Sequence, residues 1–502
     1  MKLSNILTGI EKTKIFGNIE QNIKKLCQNS KKCTKNCLFF CIDGIKTTGS
    51  LYISEAITYG ANVVVLEEKQ NFDIENLIKK YDKTTFVFVK NLRKSMATMC
   101  ANFFGNPQNK LKIVGITGTN GKSSTAFICY NLLKLQNKKA GLIGTSGIYF
   151  DGKKIDLNMT TPDSIELFEV FAKMVKAKVE YCIMEVSAHA IYFDKIYGID
   201  FLVKALTNVK SDHLDFFKTK ANYQNAKKQF FKTGKNFVIN GNDKIGQEII
   251  LGAKNNCLCY FCDKLKNNKN YNNFDKNVIF YVKNAKFSLN NTIFDLIYKN
   301  KTYKIDTNLI GKFNIENILC AVSILFCLGF KLENFVHKIS KINKIAGRFD
   351  CVFDDDFCVV IDYAHTTDSL KNFLKTIKSV SKNKNIIVFG CPGERDSYKR
   401  FEMGKLAGRL CNYVILTSDN PASENSRRIM FEIQQGVKQT NAKCFCVEDR
   451  KNAIKKAINI AQKEKNANVL IVGKGVEEYQ IVGDRHIPYS DYAVVNEILK
   501  AK

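Results

Sequence analysis

The sequence has no tryptophan and only five prolines and five histidines among 502 residues. It also lacks an apolar run of the roughly 18–20 residues that a membrane-spanning helix needs. The first residues, Met1–Leu7, do not form the apolar region of a signal peptide, so we expect a cytoplasmic protein. Hydrophobic residues make up 45% of the chain, which is enough to build cores and argues against disorder.

The charge is mostly of one sign, with 77 lysines and arginines against 48 acidic residues and a formal net charge of +29. Such an excess can indicate a nucleic-acid partner. Here it is mainly lysine spread along the whole chain, without a localised arginine-rich groove. We therefore do not expect nucleic-acid binding as the primary function.

The 18 cysteines include two clusters. These are Cys27, Cys33, Cys37 and Cys41, and then Cys257, Cys259 and Cys262. Neither cluster has the paired Cys-x-x-Cys spacing of a zinc ribbon. Many of the other cysteines lie in apolar runs, where a reduced cysteine behaves as a small hydrophobic residue. We expect free thiols and no metal cluster.

The length predicts about three domains of ~150 residues each. Short apolar runs alternate with helical segments, which is typical of parallel α/β sheets. We predict a small α/β domain over 1–91, a central parallel-sheet domain over 92–345 and a Rossmann-like α/β domain over 346–502. Residues 252–310 are predicted to form a peripheral β segment. Strands are predicted at Lys112–Ile116, Tyr181–Val186, Val203–Thr207, Phe237–Ile239, Cys358–Ile361, Asn385–Phe389, Tyr413–Leu416 and Val469–Val472.

A glycine-rich turn, GITGTNGKSS over Gly115–Ser124, follows a predicted strand and precedes a predicted helix over Ser123–Leu135. In this context backbone N–H groups and the helix N-terminus can hold phosphates. Lys122 would neutralise phosphate charge, and Ser123 or Ser124 would offer a hydroxyl to Mg²⁺. The strict P-loop pattern is not met, because Ile116 stands where its first glycine would be. The turn predicts nucleotide binding in a P-loop-type central domain without specifying the reaction.

Polar residues follow two other predicted strands of this domain. Glu185 closes one strand, and a cluster with Asp212 and His213 comes after the next. The carboxyl ends of parallel strands are where α/β folds place ligand-facing groups. Lys227 follows on a predicted helix.

These segments together resemble the Mur ligases, and among them the MurE type. The loop is similar to the TGTNGK loops that Mur ligases share with folylpolyglutamate synthetases. The EVSAHA run from Glu185 resembles an EVSSHA segment of MurE-type enzymes, and the DHLD run with the later NAK resembles their metal-site and modified-lysine segments. The resemblance covers residues 30 to 493. It implies an ATP- and Mg²⁺-dependent ligase of peptidoglycan synthesis, which adds the third amino acid to UDP-MurNAc-L-Ala-D-Glu through an acyl phosphate.

The resemblance also implies roles for individual residues. The implied catalytic residues are Lys122, Glu185, His213 and Lys227. The implied Mg²⁺ ligands are Ser123, Glu185, His213 and Lys227, the last as N6-carboxylysine. The implied ATP contacts are Gly118, Thr119, Asn120, Gly121, Lys122, Ser123, Ser124, Asn314, Asn317, Arg348 and Asp362.

The implied contacts of the UDP-MurNAc-peptide are Ser30, Thr160, Thr161, Ser187 and Lys195. The run Cys41–Gly49 followed by Ala56–Ala61 resembles the uridine-binding domain of the family. The segment around Thr160 reads equally well as the start of a helix with proline in its first turn, and both interpretations can hold together.

The implied contacts of the incoming amino acid are Arg395, Asp419, Asn420, Ala422, Gly473 and Glu477. MurE-type enzymes that use meso-diaminopimelate carry Asp-Asn-Pro-Arg at the position of Asp419–Ala422. Ala422 supplies no cation, so we predict L-lysine, whose amine Glu477 and Asp419 would bind. Meso-diaminopimelate stays open, because Arg427 and Arg428 are near in sequence.

Two other functions are weighed against the ligase. A folylpolyglutamate-type ligase would not explain the N-terminal domain or the Asp419 segment. A P-loop switch that binds nucleic acid would explain the loop and the charge but not Lys227 or Asp419. We therefore predict a ligase that acts as a monomer on UDP-MurNAc-dipeptide and a free amino acid.

Overall fold

The structure, a computed structural model, describes residues 1–44, 47–68, 74–157, 159–253, 256–262, 278–464 and 466–500. The chain forms two compact units. Unit 1 comprises Met1–Thr117, Asn137–Lys204 and Gln229–Lys235, and unit 2 comprises Gly118–Gln136, Ala205–Lys228 and Asn236–Lys502. In the described part of the chain, none of the helices combines the length and the apolar character that a membrane crossing requires.

The N-terminal part of unit 1 is a five-stranded sheet with helices beside it. Its elements are α1 (Leu3–Ile6), β1 (Lys12–Phe16), β2 (Lys25–Cys27), β3 (Cys37–Phe40), α2 (Ile53–Thr58), β4 (Ala61–Glu67), α3 (Ile74–Lys80), β5 (Thr85–Val89) and α4 (Leu92–Phe103). The strand order is β1-β5-β4-β3-β2, parallel except for β1. Every residue of β3 and β5 is buried, which explains their unbroken apolar runs.

The central part of the chain continues the alternation of strands and helices. Its elements are β6 (Lys112–Thr117), α5 (Lys122–Leu135), β7 (Ala140–Gly144), β8 (Gly147–Phe150), β9 (Lys153–Ile155), α6 (Ser164–Lys176), β10 (Tyr181–Glu185), α7 (Ala188–Tyr192), β11 (Val203–Leu206), α8 (Leu214–Phe217), α9 (Lys220–Gln229), β12 (Asn236–Asn240), α10 (Lys244–Gly252), β13 (Asn256–Phe261), β14 (Val278–Phe287), β15 (Thr292–Tyr298), β16 (Lys301–Thr307), α11 (Lys312–Cys327) and α12 (Leu332–Phe335).

The strand pairing differs between the two units. In unit 1, β6, β10 and β7 are parallel neighbours, and β8 and β9 extend them in antiparallel pairing. In unit 2, β12, β13 and β14 are parallel, and β14, β15 and β16 form an antiparallel meander. The predicted β segment over 252–310 is confirmed where it is described; residues 254–255 and 263–277 of that prediction lie outside the described residues.

The C-terminal part of unit 2 is a doubly wound sheet. Its elements are β17 (Asp350–Asp354), β18 (Cys358–Asp362), α13 (Thr367–Val380), β19 (Lys384–Phe389), α14 (Tyr398–Leu410), β20 (Tyr413–Leu416), α15 (Ser426–Val437), β21 (Lys443–Cys446), α16 (Arg450–Glu464), β22 (Ala467–Val472), β23 (Tyr479–Val482), β24 (Arg485–Pro488) and α17 (Asp491–Lys500). The order β17-β18-β22-β19-β20-β21 is parallel except for β17. One apolar cluster packs α13, α14 and α15 against one face, and a second packs α16 and α17 against the other. This arrangement confirms the predicted Rossmann-like character.

The predicted α/β class is therefore confirmed, and the predicted strands agree with the observed ones to within two residues. The predicted proline in the first turn of a helix near Thr160 is wrong. Helix α6 begins at Ser164 with Asp163 as its N-cap, so Pro162 lies before the helix. The Asp163 side chain makes no cap bond and pairs with Lys195 instead. The domain boundaries at 91/92 and 345/346 stay predictions.

Candidate active site

The phosphate loop connects the buried end of β6 to the first turn of α5. Gly118 and Gly121 both have positive φ, at 149° and 85°. A Cβ atom at Gly118 would collide with Thr207 Oγ1, and one at Gly121 would collide with Asn317 Oδ1. Only glycine lets the backbone turn this tightly against its neighbours. Gly118 and Gly121 are therefore explained by close approach of the backbone.

The segment after β11 braces this loop. The Asn208 carbonyl oxygen accepts from Thr119 N at 2.7 Å, and its side-chain oxygen accepts from Asn120 N at 3.0 Å. Thr207 Oγ1 and Asn208 Nδ2 both donate to the Asn120 carbonyl oxygen, at 2.6 and 3.0 Å. These four bonds fix the loop against the segment after β11. The first N–H groups of α5, at the helix N-terminus, are then available to bind an anion.

Lys122 and Lys227 meet at this loop. Lys122 Nζ donates to the carbonyl oxygens of Gly118 and Thr119, at 2.9 and 3.0 Å. Lys227 Nζ donates to the same Gly118 oxygen at 2.8 Å and lies 4.9 Å from the centroid of the Tyr223 ring. Only 1% of Lys227 is exposed. Burial and the nearby Lys122 charge hold the pKa of Lys227 well below its usual value, so its neutral amine is favoured.

Asp212 and His213 lie in the same unit, before α8. The nearest side-chain atoms, His213 Nε2 and Asp212 Oδ2, are 3.6 Å apart, and His213 has a φ of 53°. Burial lowers the pKa of His213, and the Lys122 charge acts in the same direction against the opposing Asp212. For Asp212 burial acts to raise the pKa, but His213, His365 and Lys122 outweigh it, so the net shift is downward. The sequence analysis names Asp212 in the polar cluster with His213 but assigns it no role.

The predicted ATP contacts on α11 and after it make two sets of hydrogen bonds with α5. Asn317 Nδ2 donates to Asn314 Oδ1 at 3.1 Å, and Thr125 Oγ1 donates to Asn317 Oδ1 at 3.4 Å. One guanidinium nitrogen of Arg348, Nη2, lies 3.3 Å from Ser123 Oγ. These contacts place Asn317 beside Thr125 and Arg348 beside Ser123, in the first turn of α5, and the contact of these residues with ATP stays a prediction.

Asp362 has a structural role in this region. Its two carboxylate oxygens accept from the backbone N–H groups of Phe349, at 2.6 Å, and Ala364, at 2.8 Å. Burial raises its pKa against the opposing Arg348 charge. The bond to Phe349 N fixes the backbone next to Arg348. Asp362 therefore helps to position Arg348 beside Ser123.

The predicted amino-acid site contains a residue that the prediction missed. Lys474 is fully buried, and its Nζ donates to Asn420 Oδ1 and Glu477 Oε2, both at 2.9 Å. Asn420 Nδ2 also donates to Glu477 Oε2, at 3.0 Å. In the sequence, the glycines at 473 and 475 on either side of Lys474 are the feature that could have drawn attention to this lysine. An amine of the protein thus already neutralises part of the Glu477 charge.

The rest of that site is arranged around Asp419 and Ala422. A Cβ at Gly473 would crowd Asp419 Oδ2, so glycine is needed beside this buried carboxylate. Ala422 has a φ of 51° and exchanges backbone hydrogen bonds with the β23–β24 hairpin. Arg395 is exposed, and no contact brings its side chain to Asp419 or Glu477 within the described residues.

Unit 1 holds the other predicted residues. Glu185 Oε1 accepts from Thr145 N at 2.8 Å, and Thr161 Oγ1 donates to the Glu185 carbonyl oxygen at 2.9 Å. Thr161 Oγ1 also accepts from Ser187 N at 3.1 Å, and Thr160 Oγ1 lies 3.1 Å from Thr145 Oγ1. Glu185, Thr160, Thr161 and Ser187 therefore form one cluster at the carboxyl end of β10.

A small cavity in the same unit includes Lys195. It is lined by Gln28, Ile42, Arg93, Met96, Asp163, Ser164, Phe193 and Lys195. Lys195 pairs with Asp163 at 2.5 Å, and the Arg93 guanidinium lies 4.4 Å from the Phe193 ring centroid. Ser30 lies elsewhere, where its hydroxyl donates to Glu55. In the predicted uridine segment Cys41–Gly49, Ile45 and Lys46 lie outside the described residues.

Three family models match the chain. The Mur ligase family catalytic domain matches residues 22–104, the Mur ligase middle domain residues 116–325, and the Mur ligase glutamate ligase domain residues 347–475.

Relatives match over the full length. A Clostridium acetobutylicum protein named UDP-N-acetylmuramoyl-L-alanyl-D-glutamate–2,6-diaminopimelate ligase 1 is 38% identical over 503 residues, which cover 100% of this chain and 99% of that protein. A Clostridioides difficile protein named UDP-N-acetylmuramoyl-L-alanyl-D-glutamate–2,6-diaminopimelate ligase is 36% identical over 502 residues, which cover 99% of each chain.

Solved structures agree with these matches. The structure of a UDP-N-acetylmuramoyl-L-alanyl-D-glutamate–2,6-diaminopimelate ligase has a TM-score of 0.67 at 25% identity and covers 100% of this chain and 99% of its own. Folylpolyglutamate synthase of Mycobacterium tuberculosis has a TM-score of 0.62 at 16% identity, covering 80% of this chain and 94% of its own, and shows a similar fold. The chain therefore belongs to the Mur ligase family, three-domain α/β enzymes that form amide bonds with ATP and Mg²⁺.

Proposed function

We propose that the protein is a MurE-type ligase of peptidoglycan synthesis that adds the third amino acid to UDP-MurNAc-L-Ala-D-Glu. The observation that carries the proposal is the meeting of Lys122 and Lys227 at the Gly118 carbonyl of the phosphate loop. A simple nucleotide switch needs the first lysine but has no use for a second, buried one whose pKa is held well below its usual value. The names of the full-length relatives support the substrate.

The reaction has two steps. A carboxylate oxygen of the dipeptide's glutamate attacks the γ-phosphorus of ATP, and ADP leaves. The amine nitrogen of the incoming amino acid then attacks the acyl carbon, phosphate leaves, and the nitrogen loses a proton. Lys122 and the N-terminus of α5 stabilise the negative charge that develops on the phosphoryl oxygens.

The side chains proposed for Mg²⁺ fit the ion's chemistry. In unit 2, Ser123 and a carbamate on Lys227 would supply oxygen donors, which Mg²⁺ prefers, and His213 would supply a nitrogen. Glu185, which lies in unit 1, stays a predicted oxygen ligand. Bound Mg²⁺ neutralises phosphate charge and polarises the γ-phosphoryl group. Asp212, beside His213, is a further oxygen donor in unit 2.

The lowered pKa of Lys227 supports its modification, because it favours the unprotonated amine. An unprotonated amine can attack carbon dioxide, form a carbamate and release a proton, whereas an ammonium group cannot. The product is an anion, which the Lys122 ammonium attracts, whereas an ammonium group at position 227 would be repelled by it. We propose N6-carboxylysine at position 227 for this reason.

The amino acid is proposed to be meso-diaminopimelate, the amino acid in the names of the full-length relatives. L-lysine is the second candidate, and Ala422 favours it because the side chain carries no cation. The two arginines near in sequence already have acidic partners. Arg427 pairs with Glu448 at 2.8 Å and Arg428 with Glu432 at 3.4 Å.

Arg485 is a cation that strand pairing connects to Ala422, where the family's diaminopimelate enzymes carry arginine. Val482 pairs with Arg485 in the β23–β24 hairpin and with Ala422 in a parallel bridge. Directly paired residues present their side chains on the same face of a sheet. Arg485 is exposed and makes no ion pair with any described residue. We propose that it binds the second carboxylate of diaminopimelate.

Unit 1 is proposed to bind the UDP-MurNAc-peptide. The cluster of Thr160, Thr161 and Ser187 offers hydroxyl groups. Lys195 offers an ammonium group whose position is fixed by its ion pair with Asp163. Ser30 is proposed to contact the uridine. We also propose domains over 1–91, 92–345 and 346–502, and a monomer.

Phosphate release distinguishes these functions. The purified chain is assayed with ATP, Mg²⁺, UDP-MurNAc-L-Ala-D-Glu and either meso-diaminopimelate or L-lysine. Release that requires both the dipeptide substrate and an amino acid supports the ligase. ATP hydrolysis that needs neither and is stimulated by nucleic acid would overturn it in favour of a switch.

A further inference from the structure

Three thiols of the N-terminal sheet converge although their spacing in the sequence is irregular. Cys27 ends β2, Cys33 follows the 3₁₀ turn Ser30–Lys32, and Cys37 begins β3. Their three Sγ atoms all lie within 4.8 Å of one another. In the parallel pairing of β2 with β3, Cys37 lies opposite Lys25 and Cys27 lies opposite Phe39, so the outer two cysteines are diagonal neighbours on one face of the sheet. Cys33, in the connection between the strands, completes the group.

This arrangement has the dimensions of a metal site. A cation at about 2.3 Å from each sulfur keeps tetrahedrally placed sulfurs about 3.8 Å apart, so the observed separations need only a small closure. Side-chain rotation can supply that movement, because each cysteine has a single side-chain torsion. Within the described residues, no other set of three histidine, cysteine or acidic groups converges in this way.

The surroundings suit thiolates that hold a cation. The ammonium groups of Lys25 and Lys32 act electrostatically on Cys27, and their charge offsets that of a multi-thiolate centre. Cys27 and Cys33 keep 4% and 5% of their surface exposed, whereas Cys37 has 0%. A cation can therefore enter from the side of the turn.

We propose that Cys27, Cys33 and Cys37 form a three-thiolate site for a thiophilic divalent cation of the Zn²⁺ type, with a water or small thiol as the fourth ligand. Sulfur donors select such ions over the Mg²⁺ used in the ligase reaction. None of the three cysteines is among the proposed catalytic residues, and the proposal does not depend on the proposed substrate.

The site would order the turn between its ligands. Cys27 Sγ already lies 3.3 Å from the Lys32 carbonyl oxygen, and Cys33 Sγ lies 3.7 Å from that of Asn29. A cation bound by both sulfurs closes the loop that carries Ser30, whose hydroxyl donates to Glu55. Metal binding would thus stabilise the N-terminal sheet and this turn together.

The test is titration of the reduced full-length chain with Co²⁺ under nitrogen. We expect one equivalent to give the intense near-ultraviolet thiolate-to-cobalt absorption, which Zn²⁺ then abolishes by displacement. The band should be lost in Cys33→Ala and retained in Cys41→Ala, a change of another buried cysteine in the same core. Absence of the band from the wild-type chain, or its persistence in Cys33→Ala, would overturn the proposal.

A second measurement uses the wild-type chain alone and is independent of variant folding. Alkylation followed by mass spectrometry compares each cysteine with and without one equivalent of Zn²⁺. We expect at least tenfold slower alkylation of Cys27 and Cys33 with Zn²⁺ and no change at the exposed Cys446. Equal rates, or a Cys27–Cys33 disulfide in the reduced preparation, would contradict the site.

Discussion

Lys122 Nζ and Lys227 Nζ donate to the same carbonyl oxygen, that of Gly118, at 2.9 and 2.8 Å. Two ammonium groups so close in a buried site would repel each other strongly. Lys122 is proposed to stay charged for phosphate binding, and burial together with the Lys122 charge holds the pKa of Lys227 well below its usual value. This shared contact explains why Lys227, although a lysine, is proposed as the precursor of a negatively charged carbamate ligand.

Carbon dioxide should add to Lys227. With ¹³C-labelled bicarbonate, we expect one carbamate resonance in the wild-type chain and none in Lys227→Arg, because arginine stays protonated at this position. Lys228→Arg, which changes the neighbouring surface lysine paired with Glu248, should keep the resonance. A resonance that survives in Lys227→Arg would contradict the assignment.

Removing the charge of Lys122 should abolish phosphoryl transfer. We expect Lys122→Met to lower kcat by about 10²–10³, the usual effect of losing one group that stabilises transition-state charge. Lys134→Met removes an exposed lysine at the other end of α5 and should leave kcat within about twofold. Steady-state phosphate release measures both, and equal effects of the two changes would exclude a specific role for Lys122.

Loss of the Arg485 side chain should lower activity with meso-diaminopimelate more than activity with L-lysine. We expect Arg485→Ala to lower kcat/KM for meso-diaminopimelate by about 10–100-fold, since a hydrogen-bonded charge is worth about 1.5–3 kcal/mol. The value for L-lysine should change little, because L-lysine has no second carboxylate.

Arg427→Ala is the control for this prediction, since that arginine already pairs with Glu448. Equal losses for the two amino acids in Arg485→Ala would argue against a clamp. A wild-type enzyme that prefers L-lysine would favour the choice based on Ala422.

His365 should make stability depend on pH. Burial and the Lys399 charge lower the pKa of His365 to about 4, below the ordinary value of about 6.5. Between these values the unfolded chain binds a proton that the folded chain does not, so stability is full above pH ~6.5 and falls as the pH drops towards 4.

The loss is about 3 kcal/mol as an upper bound. Urea unfolding from pH 7 to pH 4 should show a shallower decline for His365→Gln than for the wild type. The same replacement at the exposed His486 is the matched control. Identical slopes for His365→Gln and the wild type would disprove the assignment.

The buried ion pair of Arg450 and Asp491 should stabilise the fold far more than the exposed ion pair of Lys451 and Glu497. The pair is fully buried, with Nη2 and Oδ2 2.8 Å apart. Asp491→Asn leaves a buried guanidinium without its counter-charge, which typically costs about 3–5 kcal/mol. Glu497→Gln breaks the exposed pair with Lys451 and should cost less than about 1 kcal/mol. Melting temperatures compare the two, and similar shifts would refute the difference.

The sequence predicts much of this architecture because most of its signals are local. The apolar runs of β18 and β22 read as buried strands because both faces of a doubly wound sheet are covered. The two glycines of the phosphate loop are recognisable in the sequence, and their structural reason is close backbone approach. Pro162 was misplaced, because Asp163 forms an ion pair that no local pattern reveals.

Other features depend on residues far apart in the chain. Lys474 lies 55 positions after Asp419 and 52 after Ala422, yet contacts Asn420 directly. The β23–β24 hairpin brings Arg485 to the face of Ala422 only through a strand pairing that sequence spacing cannot report. The convergence of Cys27, Cys33 and Cys37 likewise follows from the pairing of β2 with β3.

By itself, the sequence determined the α/β class, the phosphate loop and the family, because backbone turns and buried strands restrict which residues can stand at each position. The tertiary structure decided the chemical state of the side chains. Whether Lys227 is neutral, and which group neutralises Glu477, depends on burial and on charges contributed by distant segments. Electrostatic energies are set by distance in space, and the linear order of residues does not contain that distance.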